Sequence, residues 1–171
     1  MTAENESTHV LRDGSRVTVR PISKGDRQLE RQFIEGLSPT SRRFRFLGTF
    51  KSPSEALITQ LTDIDSSVDT ALIALTRDGA IQSEVGVARF CRQPDGAAEL
   101  AVTVADDWQG KGLGTILMQC LIEIARIRGI TSLYSVDSAE NSAMHELADY
   151  LGFQRKPDPQ DATQVIHTLK L

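Results

Sequence analysis

No apolar run in the 171 residues approaches the ~20 that a membrane span requires. The amino terminus, Met1-Thr2-Ala3-Glu4-Asn5-Glu6, is acidic and polar, so it lacks the basic start and apolar stretch of a secretory signal. A cytoplasmic protein with no membrane partner is expected. There are only two cysteines, Cys91 on an expected strand and Cys120 on an expected apolar helix face, and both read as buried thiols. His9 and His167 have no cysteine or acidic neighbours at ligand spacing, and no metal site is expected. The chain also lacks internal repeats and any long Pro/Gly/Ser-rich linker. One domain spanning residues 1–171 is expected, with 1–7 disordered, as a monomer or homodimer.

Excess positive charge is missing as well. The net charge is -4, which argues against a general nucleic-acid binder. The distribution is uneven: residues 1–51 hold ten Lys/Arg against six Asp/Glu, and residues 52–171 hold nine against seventeen. Arg42-Arg43-Phe44-Arg45-Phe46 reads as an amphipathic helix with Phe44 inside and the arginines outside.

What is present is an ordered series of elements. Residues 8–22 read as a hairpin turning at Asp13-Gly14. Helices follow at about 26–36, from Ser38-Pro39, and from the capping sequence Ser52-Pro53-Ser54-Glu55 with Pro53 as the first helical residue. Three strands are expected at 70–77, 83–92 and 97–104, then a helix to Arg128, a strand at 132–137, a helix at 142–151 and closing strands at 153–155 and 164–169. Lys156 to Asp161 reads as a loop. This order gives an α/β fold with a mixed sheet.

The most informative segment joins the third of those strands to its helix: Val102-Thr103-Val104, then Gln109-Gly110-Lys111-Gly112-Leu113-Gly114-Thr115. Glycines at 110, 112 and 114 let backbone approach a ligand, and the free N–H groups of the helix start attract phosphate. The P-loop spacing fails, because Ala105 and Asp107 stand where its first glycine must be. The Gly-x-Gly-x-x-Gly dinucleotide spacing fails at Thr115. Gln109-x-x-Gly112-x-Gly114 instead resembles the acetyl-CoA loop of the GNAT N-acetyltransferase superfamily. Residues 33–46, 61–65, 98–102 and 141–153 further resemble the catalytic domain of bacterial Pat-type protein lysine acetyltransferases.

That resemblance implies a GNAT fold: a single mixed, mostly antiparallel sheet with flanking helices. It implies acetyl-CoA as cosubstrate, its pantetheine arm bonded by backbone groups of Val102 and Val104 and by Asn141, and its diphosphate by Gln109, Gly110, Lys111, Gly112, Leu113, Gly114 and Thr115. Val102 or Thr103 would supply the N–H that polarises the thioester carbonyl. A lysine amine, with pKa near ~10.4, must lose a proton before attack. Glu99 stands where many members carry a glutamate base, and apolar Leu100 and Ala101 beside it would strip it of water and make it a stronger base. The tyrosine that many members use to protonate the thiolate is replaced by Ala148. Tyr150, about 200° further round the helix, is expected to face elsewhere. His145 reads as a surface or cap residue, Trp108 as packing under the loop. The acceptor implied is a protein lysine, for example of an acyl-CoA synthetase. A small-molecule amine, or a non-catalytic acyl-CoA-sensing domain, is the alternative.

Overall fold

A computed structural model describes residues 6–47 and 50–171. Eight strands, β1 (Ser7–Val10), β2 (Arg16–Pro21), β3 (Thr70–Asp78), β4 (Ile81–Arg92), β5 (Ala97–Val104), β6 (Ser132–Ser138), β7 (Gln154–Asp158) and β8 (Asp161–Lys170), form one sheet ordered β1-β2-β3-β4-β5-β6-β8-β7. All neighbours are antiparallel except β5 and β6, which run parallel over only three residue pairs, from Ala97↔Ser132 to Glu99↔Tyr134. Beyond Glu99 the two strands part, and the gap between them is the structural origin of the site described below. Among the described residues no helix is long and apolar enough to cross a membrane.

Helices α1 (Arg27–Gly36), α2 (Pro39–Phe46) and α3 (Glu55–Thr62) precede the central strands; α4 (Leu113–Ile127) and α5 (Ser142–Tyr150) follow them. The sheet is buried on both faces. Leu113, Leu117, Leu121 and Ala125 of α4, with Met144 and Ala148 of α5, pack on Ala88, Phe90, Ala98, Leu100 and Leu133. On the opposite face Phe33, Ile34, Ile58 and Leu61 cover Ala71, Ile73, Leu75 and Val87. Continuous burial along Thr70–Leu75 and Glu84–Phe90 follows from this two-sided cover.

Several expectations need correction. Strand β1 begins at Ser7, inside the segment expected to be disordered; residues 1–5 lie outside the described residues. Helix α3 starts at Glu55, not Pro53, because Ser54 is its N-cap, accepting from the Leu57 N–H at 3.1 Å, while the Ser52 hydroxyl bonds Glu35 at 2.7 Å. Residues 156–158 and 161 extend β7 and β8 rather than forming a loop. Pro157 is tolerated because β7 is an edge strand with one side free of the ladder. Cys91 is exposed near the end of β4, where neither helix layer covers it, and Cys120 is only half-buried. In α2, Phe46 packs against Phe50, with ring centroids 5.0 Å apart, while Phe44 and Arg45 turn to the cleft. Arg43 is exposed as expected, but Phe44 faces the cleft rather than the core, and Arg45 joins it there.

A bulge where Ala74/Leu75 pair with Gly86/Glu84 turns Glu84 toward α1. There it lies buried near Glu30 and Arg89, and among the described residues neither of its carboxylate oxygens has a hydrogen-bond partner. Arg89 bonds the Leu61 carbonyl at 3.0 Å and Glu30 at 3.3 Å. Burial, then the Glu30 carboxylate, pushes the Glu84 carboxyl well above 4.5. The folded form therefore binds a proton more tightly than the unfolded chain does. This stabilisation is complete below the ordinary carboxylate range and is lost as pH rises through the folded value. Glu84→Gln is expected to melt increasingly above the parent between pH 5 and pH 9, the gap growing by at least the ~2–4 °C that ~1 kcal/mol produces in a chain of this size. Scanning calorimetry giving a constant gap across that range would refute the shift.

Candidate active site

The gap between β5 and β6 opens into a cleft of about 690 Å³. Glu99, Val102, Thr103, Val104, Gln109, Gly110, Gly112, Gly114, Thr115 and Asn141 all line it. Lys111 and Leu113 do not. Leu113 is 1% exposed, its side chain lost to the core, so only its backbone can serve the loop. Lys111 Nζ pairs with Asp13 at 3.0 Å and sits 4.6 Å above the Trp108 ring. Two hydrogen bonds from Ser15, then the Lys111 ammonium, lower the Asp13 carboxyl to about 2. Trp108 both packs on the core and borders the cleft.

The loop is built to present N–H groups. Gly110 and Gly112 have φ of +75° and +90°, a region costly for side chains, and Gly112 is the residue from which α4 begins. Among the described residues none of the six backbone N–H groups from Gly110 to Thr115 finds an acceptor. They sit at the positive end of a fifteen-residue helix. The Gln109 side chain folds back, its Nε2 donating to the Val104 carbonyl at 3.1 Å, so it braces the turn instead of reaching outward. Arg12, from the β1–β2 turn, supplies a cation beside the loop. Its N–H bonds the Lys111 carbonyl at 3.1 Å, and its Nε lies 3.3 Å from where a Gly112 Cβ would be. Six free donors with an adjacent guanidinium suit a diphosphate.

The phase of the β4–β5 ladder decides which strand groups face the gap. Gln93 N–H bonds the Ala97 carbonyl at 2.8 Å and Ala105 N–H bonds the Val85 carbonyl at 2.9 Å, so odd-numbered residues of β5 turn their backbone to β4. Val102 and Val104 therefore present theirs to the gap, and Val102 is free to bond an extended ligand. Thr103 is a correction: its backbone belongs to the β4 ladder, and its buried hydroxyl has no partner among the described residues.

Glu99 lies where β5 and β6 part, opposite Tyr134 on β6 and Cys91 on β4. It is exposed to the cleft rather than enclosed by apolar neighbours as expected. Burial, then the Glu99 carboxylate, raises the Tyr134 hydroxyl above its ordinary range. Arg45 lines the cleft with no ion pair or hydrogen bond among the described residues. Burial, then Arg89, lowers its guanidinium to about 10, which leaves it a cation at neutral pH, with Glu99 among the nearby anions. Asp106 fixes the wall that carries Arg45. It accepts from Ser38 N–H (2.9 Å), Ser38 Oγ (2.8 Å) and Ser41 Oγ (2.8 Å), tying the start of α2 to the end of β5. Burial alone would raise the Asp106 carboxyl, but these bonds hold it below its usual range.

On α5, Asn141 caps the helix, its Oδ1 accepting from Met144 N–H at 3.2 Å, while also facing the cleft. Ala148 is fully buried. Tyr150 lines the cleft and is 72% exposed, contrary to the expectation that it faces elsewhere. Ala148 faces the core, and the side of α5 that carries Tyr150 borders the cleft. Arg12 and Arg45 are the two cleft cations that sequence reasoning missed or misplaced.

Residues 42–153 match the model of the acetyltransferase (GNAT) family. A Pseudomonas aeruginosa acetyltransferase is 50% identical over 163 residues, 94% of this chain and 87% of that protein. Acetyltransferase Pat of Mycolicibacterium smegmatis is 34% identical over 148 residues, 83% of this chain but 42% of the longer protein. The crystal structure of the GNAT domain of S. lividans PAT superposes with a TM-score of 0.87 at 26% identity, covering 97% of both chains.

Proposed function

This chain belongs to the GNAT acetyltransferase family, and on that premise we propose that it transfers acetyl from acetyl-CoA directly to a lysine amine of a protein, with Glu99 as general base. The observation that carries this reading is that one cleft holds both halves of the chemistry. At one end is a row of unpaired N–H groups with Arg12; further along β5 is a solvent-reachable carboxylate. The GNAT family generally draws its acetyl group from acetyl-CoA, and the loop donors would hold the diphosphate of that substrate. The Val102 backbone would hold its arm and polarise the thioester carbonyl. Glu99 would take the proton that the attacking amine must lose. We treat residues 1–171 as one domain carrying the whole reaction.

A protein acceptor is supported by the likeness to Pat proteins over most of the chain. The acyl-CoA synthetase lysine implied by that resemblance is the first acceptor to try. One observation favours a second reading. Arg45, a cleft cation near Glu99 with no ion pair among the described residues, would suit a small amine that carries its own carboxylate. Incubating the protein with radiolabelled acetyl-CoA and a cell lysate separates the two. Label is expected on protein, stable to hydroxylamine as an amide must be. Label found only in dialysable products would give the reaction to a small amine instead.

A further inference from the structure

Along the β6 side of the cleft, four side chains from three elements form a chain that the reaction described above leaves unused. Ser135 Oγ donates to Asp137 Oδ2 at 2.5 Å, and the same Oδ2 is 2.8 Å from Nδ1 of His167 on β8. His167 Nε2 is 3.1 Å from Nδ1 of His145 on α5, whose Nε2 is 2.9 Å from the Ala139 carbonyl. His167 is fully buried and Ser135 nearly so, while Asp137 keeps 15% of its side chain exposed and lines the cleft.

Counting protons along this chain is decisive. A carbonyl only accepts, so His145 carries a proton on Nε2; as the more exposed ring, with no carboxylate against it among the described residues, it is taken as neutral, which turns its Nδ1 lone pair to His167. His167 Nε2 must then donate. Its Nδ1 faces an Asp137 oxygen that already accepts from Ser135, and this contact also needs a proton between the atoms. Three contacts require three protons, where a carboxylate and two neutral imidazoles hold two. An oxygen accepting twice suits an ionised Asp137, which places the extra proton on His167 as an imidazolium. The other ionisable groups on these elements are Tyr134 on β6; Glu146, Asp149 and Tyr150 on α5; Arg155, Lys156 and Asp158 on β7, with Arg155 opposite His167 and 3.9 Å from Asp149; and Asp161 and Lys170 on β8 itself.

We propose that Asp137, His167 and His145 store one proton beside the cleft and deliver it, through Asp137, to the thiolate that leaves when acetyl transfers. This rests on the acetyltransferase reading. As the amine nitrogen bonds the acetyl carbon, Glu99 takes the amine proton and the C–S bond breaks with its electron pair going to sulfur. The Nδ1 proton of His167 passes by way of Asp137 Oδ2 to that sulfur, leaving His167 neutral. Once the products leave, Glu99 loses its proton to water and Asp137 admits a replacement, so nothing is consumed. The buried Ala148 has no group that could serve instead.

With only three histidines in the chain, nitrogen-detected NMR of histidine-labelled, ligand-free protein reads the store directly. Near pH 7, His167 is expected to carry protons on both ring nitrogens and His145 on Nε2 alone. In kinetics, His167→Gln keeps a hydrogen-bonding amide but has no proton to lend. It should lower kcat about tenfold, leave KM for acetyl-CoA unchanged, and abolish the alkaline fall in kcat expected of the parent. Should that variant not fold, Asp137→Asn is expected to give the same kinetic result with a neutral His167. A neutral His167 in the folded parent overturns the store. Parent-like rates and pH profiles in both variants, or loss of the alkaline fall in Tyr150→Phe instead, overturn the delivery. A parent that releases no thiol from acetyl-CoA with any acceptor fails the acetyltransferase reading itself, which the NMR result would not.

Discussion

Replacing Glu99 by Gln should lower turnover by about 10² to 10⁴ and leave the affinity for acetyl-CoA nearly unchanged. Gln keeps the size and polarity of the side chain but cannot accept the amine's proton. Glu99 sits where β5 and β6 part, away from the loop donors of residues 110–115, so the binding of the donor substrate does not pass through it. The deficit should shrink as pH rises, because more of the acceptor amine then arrives already deprotonated and the missing base has less to do. Steady-state rates of thiol release from pH 6 to pH 10 provide the check. A Gln variant with comparable rates and a profile parallel to the parent would leave Glu99 as a strand residue paired across the sheet.

The legible parts of this site are those built from one stretch of chain. The glycine spacing, the strand that ends at Val104 and the α4 periodicity all lie within residues 98–127, and the turn they specify is the turn observed. The hairpin of β1 and β2 followed from its turn signal, Asp13-Gly14. Long-range partners were invisible. Arg12 reaches Gly112 only because the β1–β2 turn folds beside a loop one hundred residues later, and Lys111 is taken by Asp13 for the same reason. The role of Thr103 turned on ladder phase: one residue along a strand exchanges the gap for the neighbouring strand, and no local pattern records which edge is bonded. The Asp137, His167 and His145 chain joins β6, β8 and α5, so each residue alone reads as ordinary.

The second large effect is expected at Gly112. An Asp here would enter a backbone conformation with φ of +90°, which costs a side chain about 1–2 kcal/mol but which Asp adopts more readily than most residues, so the fold should survive. Its Cβ would meet Arg12 Nε at 3.3 Å, and its carboxylate would claim that guanidinium while setting a negative charge among the six free N–H groups. Both changes oppose an incoming diphosphate. Affinity for acetyl-CoA should fall about a hundredfold, ~3 kcal/mol, and circular dichroism should remain that of the parent. Calorimetric titration of acetyl-CoA into the parent and into folded Gly112→Asp, side by side, tests the central claim most directly. The account predicts binding to the parent that is weakened about a hundredfold in the variant; equal affinity in the two proteins would contradict it.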